Sequence, residues 1–580
     1  MKLLSFIIFT AFTLTTGVLH SQESENKGKE EEVIWKIHSK NKSHTYIDHK
    51  AKTGSEKDTF NLYTNESFME GTYKNFSFGG RKTLVVFSDR EFDSAVADFD
   101  YKYSNELLNH SWEHWLDRLY LKGKWKKIQF TVGDFYESMN RGMAFSMKND
   151  PVYGDNSIRG VNITSSHDGF FFKAFGGRAN PQIRDKATFQ RMKEPDDWLA
   201  GLESGYKWKK VEFSIQYGYG NYGKYSLVTP QEKAKIKESL DASKEFHLTG
   251  ASIYLKNPFP RFTWYTGAVY VPYGHEKSLS KTVFGEREPL VETEKKRLNN
   301  AFSLYSNALY YFDFGKKKSR LTFKLEGKVY NKFFLNYSRM EDPDYQRRYF
   351  SPPTLLPKEL QIDNEFDTWA VGTRIALNEG RSGAKFHIDF VKGDTFGNKK
   401  AFPSSQLSLI TEYKEEDFWY VAGGGEKSWN KFALSAGAGY HTAKGENSNK
   451  EFKNDRNWII SYLYLSGHIS KFSAKFTNDY YIKDLWVHGV REMDYAHELK
   501  TVLDISWDKK YFASFKNTFW KNKPEGKAKW YAGGSIGFKK EPFRIYCFGG
   551  LEKGGYVCDG GACRYLPDFK GLKLEVDIAL

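Results

Sequence analysis

The stretch Val211-Glu212-Phe213-Ser214-Ile215-Gln216-Tyr217 decides the fold: Val211, Phe213, Ile215 and Tyr217 fall on one side of an extended chain, Glu212, Ser214 and Gln216 on the other. Successive side chains of a strand point to opposite faces, so this is a strand with one apolar and one polar surface. The split recurs. Leu321, Phe323, Leu325 and Val329 oppose Lys324, Glu326 and Lys328, and Phe386, Ile388 and Phe390 oppose Lys385 and Asp389. Near the end, Leu499, Leu503, Ile505 and Trp507 oppose Lys500 and Asp504, while Leu572, Leu574, Val576 and Ile578 oppose Lys573, Glu575 and Asp577. The longer runs approach the roughly 9–11 residues with which a tilted strand crosses a bilayer.

The connections alternate as well. Short ones (122–127, 207–210, 256–260, 315–319, 507–510, 539–543) are separated by long polar stretches such as 177–197, 222–243, 273–297 and 334–364. Short turns on one side and long loops on the other are the pattern of an outer-membrane barrel, with the turns in the periplasm and the loops outside. We therefore predict an all-β fold, a large antiparallel transmembrane β-barrel over residues 67–580. At about 23 residues per strand and connection it has roughly 22 strands, between about 20 and 24.

Composition fits this reading. The 580 residues are 27% charged yet include 15 Trp, 37 Tyr and 47 Phe, too many aromatics for a disordered chain. A polar lumen and aromatic girdles at two interfaces account for both. Lys2 followed by the apolar run from Leu3 to Phe9 reads as a signal peptide over residues 1–21, so the chain is expected to be exported, with the outer membrane of a Gram-negative cell as its location. Residues 22–66 are mostly polar, with His38, His44 and His49 scattered through them, and are predicted to form a poorly ordered periplasmic tail.

The formal net charge is +15. Lys124, Lys126, Lys127, Lys209, Lys210, Lys316, Lys317 and Lys318 all fall in short turns, which predicts a basic periplasmic rim facing lipid headgroups or a protein partner. No basic helix or nucleic-acid module accompanies them, so nucleic acid is not an expected partner. The polar faces carry Lys324, Lys328, Lys385, Lys500 and Lys573 against Glu212, Glu326, Asp389, Asp504, Glu575 and Asp577. That near balance argues against a strongly ion-selective ring and allows either an open lumen or one cross-linked by ion pairs.

A barrel this wide must be narrowed or plugged. The glycine-punctuated segment Gly133–Phe145, continuing to Gly154–Gly160 and carrying Arg141 and Arg159, is the candidate inward element, with an ordinary outer loop as the alternative. Cys558 and Cys563 are predicted to form a disulfide in the last long loop, leaving Cys547 over. His110-Ser111-Trp112-Glu113-His114 has zinc-protease spacing but lies among strand patterns, so it reads as loop or girdle. Tyr217, Tyr219, Tyr222 and Tyr225 read as a girdle rather than a sugar-stacking platform. With no nucleophile, base and acid brought into one pattern, neither enzymatic activity nor a metal or cofactor is expected.

Three stretches carry a resemblance: Gly133-Asp134-Phe135-Tyr136, the run from Gly154 to Gly160, and the ending with Cys558, Gly560, Gly561, Cys563, Arg564, Tyr565 and Pro567. In these the chain resembles a family of uncharacterised outer-membrane β-barrel proteins from Bacteroidota. The resemblance implies a barrel of unassigned function and carries over no catalytic residues. The function expected from the whole reading is a channel or transport pore for small polar solutes. The alternative is a structural or docking barrel with a filled lumen, binding a protein through its basic rim or surface loops.

Overall fold

The computed structural model describes residues 33–50, 57–88, 112–150, 154–182, 197–222, 243–280, 291–295, 300–316, 318–332, 349–350, 353, 355, 368–380, 382–396, 414–446, 453–486, 493–522, 528–553, 555–559, 562–566 and 569–579. Among them, 24 strands pair in chain order, each antiparallel to the next. The last, Phe569–Ala579, pairs with the first, Ile34–Lys50, and closes the sheet into a barrel. Closure removes every free edge, the one way a sheet can satisfy its backbone in a bilayer.

The alternation read from the sequence becomes inside and outside. Phe213, Ile215, Leu325, Ile388, Leu503 and Leu572 are exposed on the outer surface, and the polar partners of each strand face the lumen. Next to the short turns the outer surface turns aromatic: Trp125, Phe170, Trp208, Trp429, Trp507 and Tyr511 form a girdle on one rim. Several of these turns hold only two residues and need a left-handed backbone, which Lys74, Lys126, Lys209 and Ser470 supply with φ of 51°, 53°, 49° and 52°. Lys126 and Lys209 also lie over the rings of Trp125 and Trp208, 5.5 and 5.8 Å from their centroids. In the turn after Trp507, Asp508 accepts a hydrogen bond from Lys510 and lies beside Lys471, which holds its carboxyl below the usual carboxylate range. Lys317 lies outside the described residues, as does the leader read in residues 1–21.

The barrel starts earlier than Ser67, and this corrects the predicted tail. Ile34–Lys50 and Lys57–Tyr73 are its first two strands. Their outer face presents Ser39, Asn41, Ser43 and Thr45 beside Asn61, Tyr63, Asn65 and Ser67, so over this stretch both faces are polar and the period-two signal vanishes, while Trp35, Ile37 and Met69 keep that face apolar toward one end. These groups satisfy one another instead: Asn65 and Tyr63 donate to the Asn41 carbonyl at 2.6 and 2.7 Å, and Thr45 donates to Asn61 at 2.7 Å. His38 and His44 are not tail histidines but line the lumen against Asp577 and Glu575 of the last strand.

The candidate lumen site

After Gly133 the chain leaves the wall at a gap that its own side chains seal. Strand Ile128–Phe135 pairs with Trp112–Trp125 only from Tyr120 onward, and a Cβ at Gly133 would stand 2.1 Å from the Leu119 carbonyl oxygen. Gly133 has a φ of 103°, so glycine is required there twice over. Beyond it the Asp134 carboxylate replaces the missing neighbour. Its side chain is wholly buried and accepts the Leu119 N–H at 2.7 Å, the Arg159 guanidinium at 3.1 Å and the Asn180 amide at 2.7 Å. Asn180 also donates to the Asp117 carbonyl, and Asp117 is paired with Arg81 at 3.2 Å. Arg159, read from the sequence as part of an inward loop, is thus a wall residue of strand Gly154–His167 that braces the exit.

Past Phe135 the chain folds into the lumen as a small hairpin, Glu137–Met139 paired with Phe145–Met147. Met139, Met143, Ala144, Phe145 and Met147 are at most 2% exposed and pack on Phe175, Leu199, Phe246 and Leu248 of the wall. A second inward segment, invisible in the sequence reading, meets them. Phe350 stacks on Phe145 at 5.2 Å, and the Tyr349 carbonyl accepts the Ser146 N–H at 2.7 Å. Tyr349 in turn donates to Asp197 at 2.7 Å. Its one sequence signal is the apolar pair Tyr349-Phe350 ahead of Pro352-Pro353 inside a long polar stretch. Wall glycines make the room: a Cβ at Gly218 would lie 2.6 Å from the Phe145 ring.

The tip of the hairpin is Asn140-Arg141-Gly142, with φ of 49°, 51° and 86°. The Asn140 carboxamide donates to Gln216 at 3.2 Å and to the Ala268 carbonyl at 3.1 Å, and accepts from Tyr265 at 2.6 Å. The Arg141 guanidinium lies over the Tyr265 ring, 3.6 Å from its centroid, and 5.9 Å from that of Tyr305.

The rest of the lumen differs in kind. From Phe472–Trp486 through the seam to Phe76–Ser88, no inward segment covers the wall among the described residues. Polar side chains line it in pairs. Lys573 and Lys516 hold Glu552, and Lys500 and Lys553 hold Glu498; before this arc begins, Arg374 and Lys385 meet Asp389 and Glu426. Lys516 and Lys500 keep nearly half of their side chains exposed. A cleft of about 570 Å³ opens there, lined by Ser466, His468, Lys475, Asp504, Ser506 and Ser514 among others.

The sequence-predicted residues therefore divide. Lys324 and Glu326 pair at 2.6 Å on the inner wall, and Glu575 and Asp577 join the seam. Glu212 pairs with Lys207 at 3.2 Å near the basic rim, whereas Lys328 is sealed beneath the inward segments at 3% exposure. Tyr217 and Tyr219 gather at His247, but Tyr222 is buried against Tyr349 and Phe246, so the expected tyrosine girdle is split between two faces. Tyr225 lies outside the described residues. Cys558 and Cys563 stand directly opposite in the hairpin Gly555–Asp559 and Ala562–Leu566. From Trp112 the segment with zinc-protease spacing runs as strand, not as the helix that pattern requires; His110 lies outside the described residues.

These features define a closed antiparallel membrane barrel with an off-centre inner plug. The part that completes the barrel, residues 428–580, matches a family of unknown function (DUF6029). No curated protein matches the chain. Among solved structures the chain is similar to the P pilus usher (PapC) translocation pore at 7% identity and a TM-score of 0.37, covering 94% of this chain and 98% of that one. It is similar to the copper transporter OprC at 9% identity and 0.44, covering 96% and 82%. For a BenF-like porin from Pseudomonas fluorescens Pf-5 the values are 10% and 0.32, covering 75% and 99%.

Proposed function

We propose that this protein is an outer-membrane channel that passes small polar solutes, in keeping with the sequence resemblance to barrels of Bacteroidota. The observation that carries the reading is the asymmetry of the lumen. Among the described residues the plug packs against one side only, and the opposite wall is lined with accessible lysines, carboxylates and hydroxyls. A barrel meant solely as a scaffold has no need to keep such a wall wet, and a polar wall lowers the cost of carrying a hydrated solute across. The apolar outer face and the aromatic girdle support a bilayer-spanning placement, with the short-turn rim on the periplasmic side. The rim lysines beside Trp125 and Trp208 support an anchoring role at the lipid headgroups.

Planar-bilayer recording of the refolded protein tests this. A reproducible single-channel conductance is the expected result, with folding verified by a gel mobility that changes on boiling. A folded barrel that conducts nothing in several lipid mixtures overturns the channel and leaves the docking-barrel reading, in which the rim or the loops bind a protein.

A further inference from the structure

From Met139 to Met147 every side chain of the inward hairpin is buried except one, and that one is Arg141. Its exposure is bought with backbone strain. Asn140 and Arg141 both sit in the left-handed region, which asparagine tolerates and arginine adopts less readily. Here the three-way anchoring of the Asn140 carboxamide holds that backbone, and its effect is to aim the next residue away from the core and into the lumen, level with Gln216 and Ala268.

The charge that this presents meets no carboxylate partner among the described residues. Nearby carboxylates are already taken. Glu326 is held by Lys324 at 2.6 Å, by the Tyr305 hydroxyl at 2.5 Å and by Asn307 at 3.0 Å. Glu137 is held by Lys173 and Asn162, both at 2.8 Å, and Glu203 by Lys173 at 3.7 Å and Gln216 at 3.1 Å. Arg141 makes no ion pair among the described residues; its neighbours are the ring faces of Tyr265 and Tyr305. One face of the guanidinium is stacked, which leaves its N–H edges, a rigid fork suited to two oxygens of one anion.

We infer that Arg141 forms a binding point for small oxyanions, solutes bearing a carboxylate or phosphate, and biases the lumen toward them. The bias rests on the channel reading; the binding does not. Two measurements keep them apart. In the first, the folded full-length barrel is treated with an arginine-specific dicarbonyl reagent and Arg141 is followed by peptide mass spectrometry. Inorganic phosphate or succinate should slow its modification several-fold, and glucose or an equal ionic strength of chloride should not. Equal protection by all four, or by none, overturns the site. In the second, reversal potentials are recorded across a bilayer under a potassium chloride gradient. R141Q should lower the anion-to-cation permeability ratio several-fold, R141E should lower it further, and R141K should retain part of it. An unchanged ratio in R141Q and R141E overturns the bias, and gel mobility verifies that each variant folds. If the wild type does not conduct, the channel reading fails while the protection measurement still decides the binding point.

Discussion

Phe145→Ala should release the plug while leaving the wall intact. Phe145 is fully buried, edge-on to Phe175 at 5.4 Å, stacked on Phe350 at 5.2 Å, and fitted over the glycine gap at Gly218. Truncating a phenylalanine in such a site costs about 3–5 kcal/mol, since the transfer free energy of the ring and a residual cavity are both lost. The wall is held by continuous backbone ladders that do not involve this ring, so the loss falls on the inward segments. About 3 kcal/mol is on the order of a hundredfold in a local opening equilibrium. Hydrogen exchange is the assay. The Ser146 amide, bonded to the Tyr349 carbonyl, and its neighbours in 137–147 should exchange about a hundredfold faster, while Val211–Tyr222 stays protected. Unchanged exchange in 137–147 would refute the keystone role of Phe145. Equal loss across the wall strands would refute the independence of wall and plug.

Three further substitutions probe separate links. Gly218→Val should displace the Phe145 ring and reproduce the same exchange pattern from the wall side; protection of 137–147 left at the wild-type level would mean the gap is not needed. Asp134→Ala strands the Arg159 guanidinium, the Asn180 amide and the Leu119 N–H, and should cost about 3–5 kcal/mol, measured as a lower boiling threshold for gel mobility and a lower denaturant midpoint. A midpoint equal to wild type contradicts the brace. Lys82 lies on the outer face between Ser67 and the exposed Leu116, six positions beyond the girdle-side Phe76, with no partner among the described residues. Lys82→Leu should stabilise the barrel in lipid vesicles by about 2 kcal/mol, the scale of a lysine facing hydrocarbon; no gain in the guanidinium midpoint would remove Lys82 from the lipid surface.

The wall was legible because its two solvents are so different. Phe569–Ala579 faces hydrocarbon on one side and the polar lumen on the other, Val211–Tyr222 hydrocarbon on one side and polar contacts with the plug on the other, and period-two alternation records that contrast directly. Where the contrast fades the reading fails. The first two strands carry Ser, Asn and Thr outside as well as Lys and His inside, so only long-range pairing with Phe569–Ala579 reveals them, and no local pattern encodes such pairing. The inward hairpin was visible through its glycines, but Arg159 was grouped with it because sequence proximity does not say on which side of the exit a residue lies. Tyr349 and Phe350 were lost for the opposite reason. Two apolar residues in a polar loop show a period too short to interpret, and their role comes from the ring of Phe145, some two hundred positions away in sequence.

The seam also shows how register is set when the outer face gives no instruction. In the observed pairing Lys40 lies opposite Asp577 and Lys42 opposite Glu575, with Lys42 bonded to Glu66 at 2.8 Å across the next strand. Each such pair is partly exposed and contributes at most about 1 kcal/mol, too little to fix a register by attraction. The alternative decides it. A slip by one residue would turn Lys40 and Lys42 toward hydrocarbon, at about 2–4 kcal/mol each near the midplane, and would bring the uncharged Ser39, Asn41 and Ser43 inside for no gain. Gly571 adds a steric stop, because a Cβ there would stand 1.7 Å from the Thr45 carbonyl oxygen, and its φ of 152° suits glycine. Closure is therefore specified chiefly by what the wrong register would expose. The hydroxyls and carboxamides of the first two strands can face outward because their mutual hydrogen bonds leave little for lipid to desolvate.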